Sequence, residues 1–406
     1  LESVSRRESY LALLEQYPEA LNRVADLMSA SPWVADYLTQ HPILLDELLD
    51  QRTLYSAPDW AQLGATLRRD LEAAEGDIEK QMDLLRHFKQ AQTMRYVAQD
   101  LADTLPLETL SDHLSDLACV LLREVTRLAW THLRQRHRPE PAFAIVAYGK
   151  LGGKELGYAS DLDLVFLYDD PAPGAPENYA RLAQRINHWL TSMTAAGVLY
   201  ETDLRLRPDG ASGLLVSPLA SFRDYQLKSA WVWEHQALTR ARFVAGDAAI
   251  GQGFEDLRVA VLRKRRDLPA LRDEIRAMRA KMLESHPNRT ALFDLKHDPG
   301  GIIDVEFIVQ YLVLGHAHEH AELTGNVGNL ALLKLAARLQ LIPEPQALAA
   351  HGAYRRFRQL QHGRRLQGEI YARVPPSEVE GEATAVRALW ALVFGESALR
   401  PRTTAP

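Results

Sequence analysis

The stretch Ala142-Phe-Ala-Ile-Val-Ala-Tyr-Gly-Lys-Leu-Gly-Gly-Lys-Glu-Leu-Gly-Tyr-Ala-Ser-Asp-Leu-Asp-Leu-Val-Phe-Leu-Tyr168 reads as an apolar strand, a glycine-rich turn and a second apolar strand carrying two acids. Asp161 and Asp163 interrupt a run that otherwise belongs inside a sheet. Side chains alternate along a strand, so residues two apart share a face, about 6.5–7 Å apart at roughly 3.3 Å per residue. Two carboxylates so placed repel each other and are costly to desolvate unless a cation sits between them. A hard divalent metal fits, because Mg²⁺ takes oxygen ligands and is usually shared with substrate phosphates.

Around this stretch lie 406 residues, enough for two or three domains. The expected division is a helical region over 1–105, a catalytic domain over 106–260 and a helical bundle over 261–406. The expected fold class is α+β, predominantly helical, with a small mixed sheet. A net charge of -6 gives no overall basic field for nucleic acid. No apolar run approaches the ~20 residues needed to span a bilayer, so no membrane partner is expected. The single cysteine, Cys119, lies in an apolar run and reads as a small core residue. Its isolation fits a reducing cytoplasm. The chain opens on Leu1 rather than Met, which suggests a fragment.

Helical periodicity marks 10–17 and 20–28, and Ser31-Pro32 is a good helix start, a capping serine followed by proline. The charged span 72–100 suits one long helix or two, and 110–136 another. A helix over 177–196 is expected to stop at Gly197. The run Val198-Leu-Tyr-Glu-Thr-Asp-Leu-Arg-Leu-Arg-Pro-Asp-Gly210 reads as a strand closed by a turn, 214–216 as a return strand and 218–246 as mostly helical. From 268 onward helices resume, interrupted by a tight loop around Gly300 and Gly301. The tail 400–406 reads as disordered.

The strand near 203 sharpens the first inference. Asp203, Arg205 and Arg207 alternate with Leu204 and Leu206, giving one polar face. Beside Asp161 and Asp163 it would present three carboxylates and two guanidiniums, equipment for moving a nucleotidyl group. Two metals would clamp an in-line displacement, while arginines hold polyphosphate. Gly149, Gly152 and Gly153 would let the backbone approach a phosphate and offer N–H groups as an anion nest. This is not a Walker A loop, because Tyr148 stands where glycine is required and Glu155 follows Lys154.

Weaker candidates remain open. His316, His318 and His320 suggest a metal but lack a His-Glu-x-x-His pattern and read as a solvated helix end. The tryptophans at 231 and 233 read as core, while Glu234, His235, Arg240 and Arg242 are candidates to line the cleft. Lys296, Asp304 and Glu306 either contact nucleotide or partner, or bridge domains.

At these residues the chain resembles the glutamine synthetase adenylyltransferase family of polymerase-β-like nucleotidyltransferases. The resemblance rests on Gly149-Lys-Leu-Gly-Gly-Lys-Glu-Leu-Gly with its following Asp-Leu-Asp, on Tyr200-Glu-x-Asp-x-Arg-Leu-Arg-Pro, on Trp233-Glu-His-Gln-Ala-Leu-x-Arg-Ala-Arg and on Gly300-Gly-Ile-x-Asp-x-Glu-Phe. It covers nearly the whole chain, including His41-Pro-Ile-Leu-Leu-Asp and Phe88-Lys-Gln-Ala-Gln. Proteins of that family are bifunctional and about twice this length, with two related halves. The adenylyl-removing half typically has Met and Asn where this chain has Tyr148 and Gly157, so the resemblance implies the adenylylating half. It implies transfer of AMP from ATP to a tyrosine of glutamine synthetase, with Asp161, Asp163 and Asp203 holding Mg²⁺ or Mn²⁺ and Asp203 assisting deprotonation. It further implies that Gly152, Gly153, Ser160, Arg205 and Arg207 contact ATP, and that the PII signal protein and glutamine regulate. The removing half, a protein uridylyltransferase and a non-catalytic binding module are the alternatives.

Overall fold

The computed structural model describes residues 18–48 and 54–395. Two helices open it, α1 (Pro18–Ala30) and α2 (Pro32–Gln40), joined by the expected cap: the Val34 amide donates to Ser31 Oγ at 3.2 Å. A 3-10 segment follows over Pro42–Leu48. The charged span resolves into α3 (Trp60–Ala73) and α4 (Ile78–Leu101), because Asp59 and Asp77 each cap a helix N-terminus and Gly76 turns between them. After α5 (Leu107–Thr131) come β1 (Phe143–Ala147), the one-turn helix α6 (Gly149–Gly152) and β2 (Leu162–Tyr168).

Helix α7 (Ala175–Thr191) ends before Gly197, and the reason lies outside the segment. Buried Arg86 of α4 collects the carbonyls of Trp189, Ser192 and Gly197 at 3.1, 2.6 and 2.6 Å, drawing the chain away from the helical path. Beyond it lie β3 (Thr202–Asp203), β4 (Val216–Pro218), α8 (Leu219–Lys228), α9 (Val232–Leu238), β5 (Arg242–Gly246) and α10 (Ala248–Leu262). The remainder is α11 (Leu268–Ser285), β6 (Phe293–Asp294), α12 (Ile302–His316), α13 (Asn329–Arg338), α14 (Glu344–Leu366), β7 (Arg373–Val374) and α15 (Glu380–Phe394). The protein is thus α+β and predominantly helical.

The main sheet is mixed, in the order β3-β2-β1-β5, with β4 also beside β2. Strand β1 runs antiparallel to β2 and β5, while β3 and β4 run parallel to β2. All five β1 residues are buried, and in β2 only Asp163 is not. Strand β5 corrects the helical reading of that segment: after α9 ends, Arg242 to Gly246 pair with β1, and Gly246 (φ +104°) makes the turn to the Asp247 cap of α10. The strand expected near 203 is only two residues long. Beyond it Arg207 Nη1 donates to the Leu204 carbonyl at 2.7 Å and its Nη2 to Ala211 at 2.9 Å, folding the segment into turns.

One apolar core runs from Leu67 to Phe394 and takes in both the sheet and the later helices. A second gathers α1, α2 and α4 with Leu366 of α14. A file of rings links the two ends of the chain: Tyr37 stacks on Trp33 at 4.6 Å, Trp33 lies 5.9 Å from Tyr158, and Tyr158 lies 5.6 Å from His362. The Tyr158 hydroxyl donates to Asp100 at 2.8 Å. Cys119 is buried, its sulfur 3.8 Å from the Arg242 guanidinium. Among the described residues no helix is long and apolar enough to cross a membrane. The helix read over 10–17 and the tail 400–406 lie outside the described residues.

Candidate active site

Pairing of β2 with β3 places Asp163 directly opposite Asp203. Asp161, immediately before β2, joins them on the wall of a cavity of about 480 Å³. The rest of the wall comes from α6 (Gly149, Lys150), α9 (Trp233, Gln236, Ala237), α11 (Met278, Met282), α12 (Ile302, Glu306) and α14 (Arg358, Gln361), with Arg205 at the edge. Sheet residues therefore meet helical residues more than a hundred positions away.

The acids repel one another. Burial, then the negative charges of Asp161 and Asp203, push the Asp163 carboxyl up to about 6. Gly149, in the left-handed region at φ +55°, lies so close that a Cβ there would overlap the Asp163 carboxylate. Among the described residues no group of three or more acidic, histidine or cysteine side chains is arranged to hold a metal ion by itself. The Asp203 carboxylate instead accepts a forked pair of bonds from the guanidinium of Arg205, which holds it below the usual carboxylate range. An open set of oxygen donors suits Mg²⁺, which normally takes one or two carboxylates and completes its shell with water and phosphate. The donor chemistry fits a hard divalent ion.

Several expected site residues have other occupations. Arg207 ties down loop carbonyls and does not line the cavity. The N–H groups of Gly152 and Gly153 donate to Tyr148 and Gly149 at 2.9 and 3.1 Å, so they form no free anion nest. Glycine is required at 152 because a Cβ would run into the carbonyl oxygens of Arg240 and Ala147. Ser160 accepts from the Gly157 amide at 3.0 Å and lies 3.4 Å from Lys150 Nζ, beside rather than within the acidic cavity.

The weaker candidates divide similarly. Of Glu234, His235, Arg240 and Arg242, only Arg240 lines the cavity. Glu234 accepts from the Trp231 amide and the Tyr225 hydroxyl, His235 bonds Gln226 and Arg266, and Arg242 donates to the Leu151 carbonyl. The tryptophans are not core: Trp231 is 69% exposed and Trp233 lines the cavity. Asp304 forms a fully buried pair with Arg279 at 2.5 Å and accepts from the Gly300 amide, fixing the glycine loop. His318 pairs with Glu319. Glu306 and Lys296 do reach the cavity.

Arg240 organises the far wall. Its Nη1 donates to Glu306 at 2.7 Å and to Glu155 at 3.1 Å. Glu155 also accepts from the Tyr354 hydroxyl at 2.7 Å and from Asn329, and lies 3.3 Å from Arg358. Burial opposes ionisation of Glu155, yet Arg358 and Arg240 hold it below its ordinary range. Lys150 and Arg358 were not anticipated. Lys150, set between Gly149 and Leu151, carried a local signal as a cation in the glycine turn, whereas Arg358 comes from α14 with none. Burial, then Lys296 and Arg358, lower the Lys150 ammonium to about 8.

Fold and site together define a predominantly helical α+β protein with an acidic, cation-edged cavity at the end of a small mixed sheet. The family model for glutamate-ammonia ligase adenylyltransferase matches residues 21–257, and that for the PII-uridylyltransferase matches residues 276–369. The chain belongs to the glutamine synthetase adenylyltransferase family. It is 60% identical to the bifunctional glutamine synthetase adenylyltransferase/adenylyl-removing enzyme of Aromatoleum aromaticum, over 98% of this chain and 42% of that protein. Similarity to the enzymes of the same description in Chromobacterium violaceum and Nitrosomonas eutropha is 57% and 55% identity, over 98% and 97% of this chain and 44% of each relative. The chain thus spans less than half the length of these relatives.

Proposed function

We propose that the chain transfers AMP from ATP to a tyrosine hydroxyl of glutamine synthetase on a polymerase-β-like core, lowering synthetase activity in nitrogen control. The observation that carries this reading is the three-carboxylate wall, with Asp163 opposite Asp203 and Asp161 beside them. Asp161, Asp163 and Asp203 would hold Mg²⁺ or Mn²⁺, which when bound neutralises developing charge on the phosphates and lowers the pKa of a nearby hydroxyl. In the reaction the tyrosine oxygen bonds to the α-phosphorus, the bond from α-phosphorus to the bridging oxygen breaks, and pyrophosphate leaves. The phenolic proton, with an ordinary pKa near 10, passes toward a carboxylate oxygen of Asp203 once Arg205 yields it.

Tyr148 and Gly157 support the adenylylating over the removing direction. The relatives' printed names cover both activities, so the removing reaction, in which phosphate cleaves the AMP–tyrosine bond, is the second reading. The PII signal protein and glutamine are proposed as regulators and the cytoplasm as the location, the last supported by the lone reduced thiol of Cys119. Incubation with labelled ATP or labelled UTP and unmodified glutamine synthetase tests the proposal. Incorporation of AMP is expected. Incorporation of UMP, or release of ADP from pre-adenylylated synthetase with phosphate and no forward transfer, would overturn it.

A further inference from the structure

Beside the acidic cavity lies a second cavity of about 280 Å³. Lys150, Lys296, His297, Arg358 and Gln361 line both, so the two are adjacent. The carboxylates in the annex are already engaged: Asp294 accepts from Arg373 at 3.2 Å, and Glu369 from Arg364 at 3.0 Å. Among the described residues neither Lys150 nor Lys296 has a carboxylate within ion-pair distance, and Lys150 Nζ lies 3.4 Å from Ser160 Oγ. Three annex side chains also keep buried nitrogens with no hydrogen-bond partner: Arg358 Nε, Arg365 Nε and His362 Nδ1. His362 is 6% exposed, and its Nδ1 has no hydrogen-bond partner among the described residues. Buried donors left without acceptors are costly, about 1–3 kcal/mol each and more for charged groups, so a ligand rich in acceptor oxygens would relieve the two arginine nitrogens.

We infer that this annex, bounded by Lys150, Lys296, Arg358 and His362, seats the pyrophosphate end of the nucleotide and retains it as the leaving group. The inference rests on the nucleotidyl-transfer reading, and its residues are not those expected from sequence: Arg207 is committed to loop carbonyls, while the cations lining the annex lie on α6, on the loop before α12 and on α14, where Arg358 also pairs with Glu155. Lysine supplies compact positive charge to a phosphate without demanding one geometry. The lining shared with the acidic cavity favours the β and γ phosphates of bound ATP over an independent anionic effector.

Lys296 is exposed, so Lys296→Gln leaves the fold intact and an unchanged melting temperature verifies this. Calorimetry with ATP, AMP and inorganic pyrophosphate, each with Mg²⁺, tests the inference. Lys296→Gln is expected to weaken ATP and pyrophosphate by about tenfold or more, as loss of a charged phosphate contact implies, with AMP within about twofold and Lys296→Arg restoring most of the loss. Pyrophosphate is expected to compete with ATP on the unaltered protein. Unchanged ATP affinity in Lys296→Gln, an equal loss for AMP, or pyrophosphate binding alongside saturating ATP would each overturn the annex assignment. If the unaltered protein binds these ligands as expected but labels no synthetase, the transfer reading fails and the annex stands.

Discussion

Asp163 and Asp203 face each other across the parallel pairing of β2 and β3, two acids in register where a hydrophobic pair would be more stable. The Asp163 carboxyl, raised to about 6 in the folded chain from 3.8, makes the metal-free fold less stable once it ionises. That penalty is absent below about pH 4, grows as pH rises through 6 and is complete at pH 8. Asp163→Asn is therefore expected to abolish AMP transfer while stabilising the metal-free protein at pH 8 by about 1–3 kcal/mol. Thermal melts from pH 4 to 8 in chelator check this; a variant that is both inactive and less stable at pH 8 contradicts it.

Gly149→Ala combines positive-φ strain with a methyl driven against the Asp163 carboxylate. A loss of about 1 kcal/mol in stability follows from the backbone alone. Transfer should fall by about a hundredfold, because displacement of a reacting group by an ångström costs on that order. Near-normal turnover would show that Asp163 does not act at its observed position.

The two arginines of the β3 segment should separate cleanly. Arg205→Ala is expected to leave urea unfolding unchanged and to alter the metal concentration needed for half-maximal transfer, since it frees Asp203. Arg207→Ala removes three bonds to carbonyls and should lower stability by about 1–2 kcal/mol. A reversed pattern would place Arg207, not Arg205, at the substrate.

Arg240→Met leaves Glu155 and Glu306 facing each other without their shared cation. Breaking such a buried network from one side costs about 3–5 kcal/mol. Adding Glu306→Gln to Arg240→Met should recover part of that loss, since Glu155 keeps Arg358 whereas Glu306 does not, measurable as a non-additive double-mutant cycle in urea.

The residues that expose chemistry in a linear reading are those whose local context makes them anomalous. Asp161 and Asp163 break an apolar strand, and Asp203 follows from alternation in the segment that pairs with it. Ser31 announces its helix because a cap and a first-turn proline act within three residues. What escaped was set by distant partners. Arg86 ends α7 from a position more than a hundred residues earlier, and Arg240 draws Glu155 to Glu306 across the cavity. The α9–β5 boundary was hidden because Ala241 to Ala245 suits helix and strand alike until β1 offers a free edge. Gly152 read as a phosphate loop because a glycine needed for backbone packing is indistinguishable in sequence from one needed for a ligand.

The ring file from Tyr37 through Trp33 and Tyr158 to His362 has a practical consequence for how the chain can be divided. A protein begun at residue 106 would keep every acid and every cation of the cavity, yet Tyr158 would lose Asp100 and the indole behind it. Ser31 would no longer donate to the Leu366 carbonyl at the end of α14. The floor under His362 would become a water-facing surface, so the supports of the cavity begin well before the stretch that carries its acids.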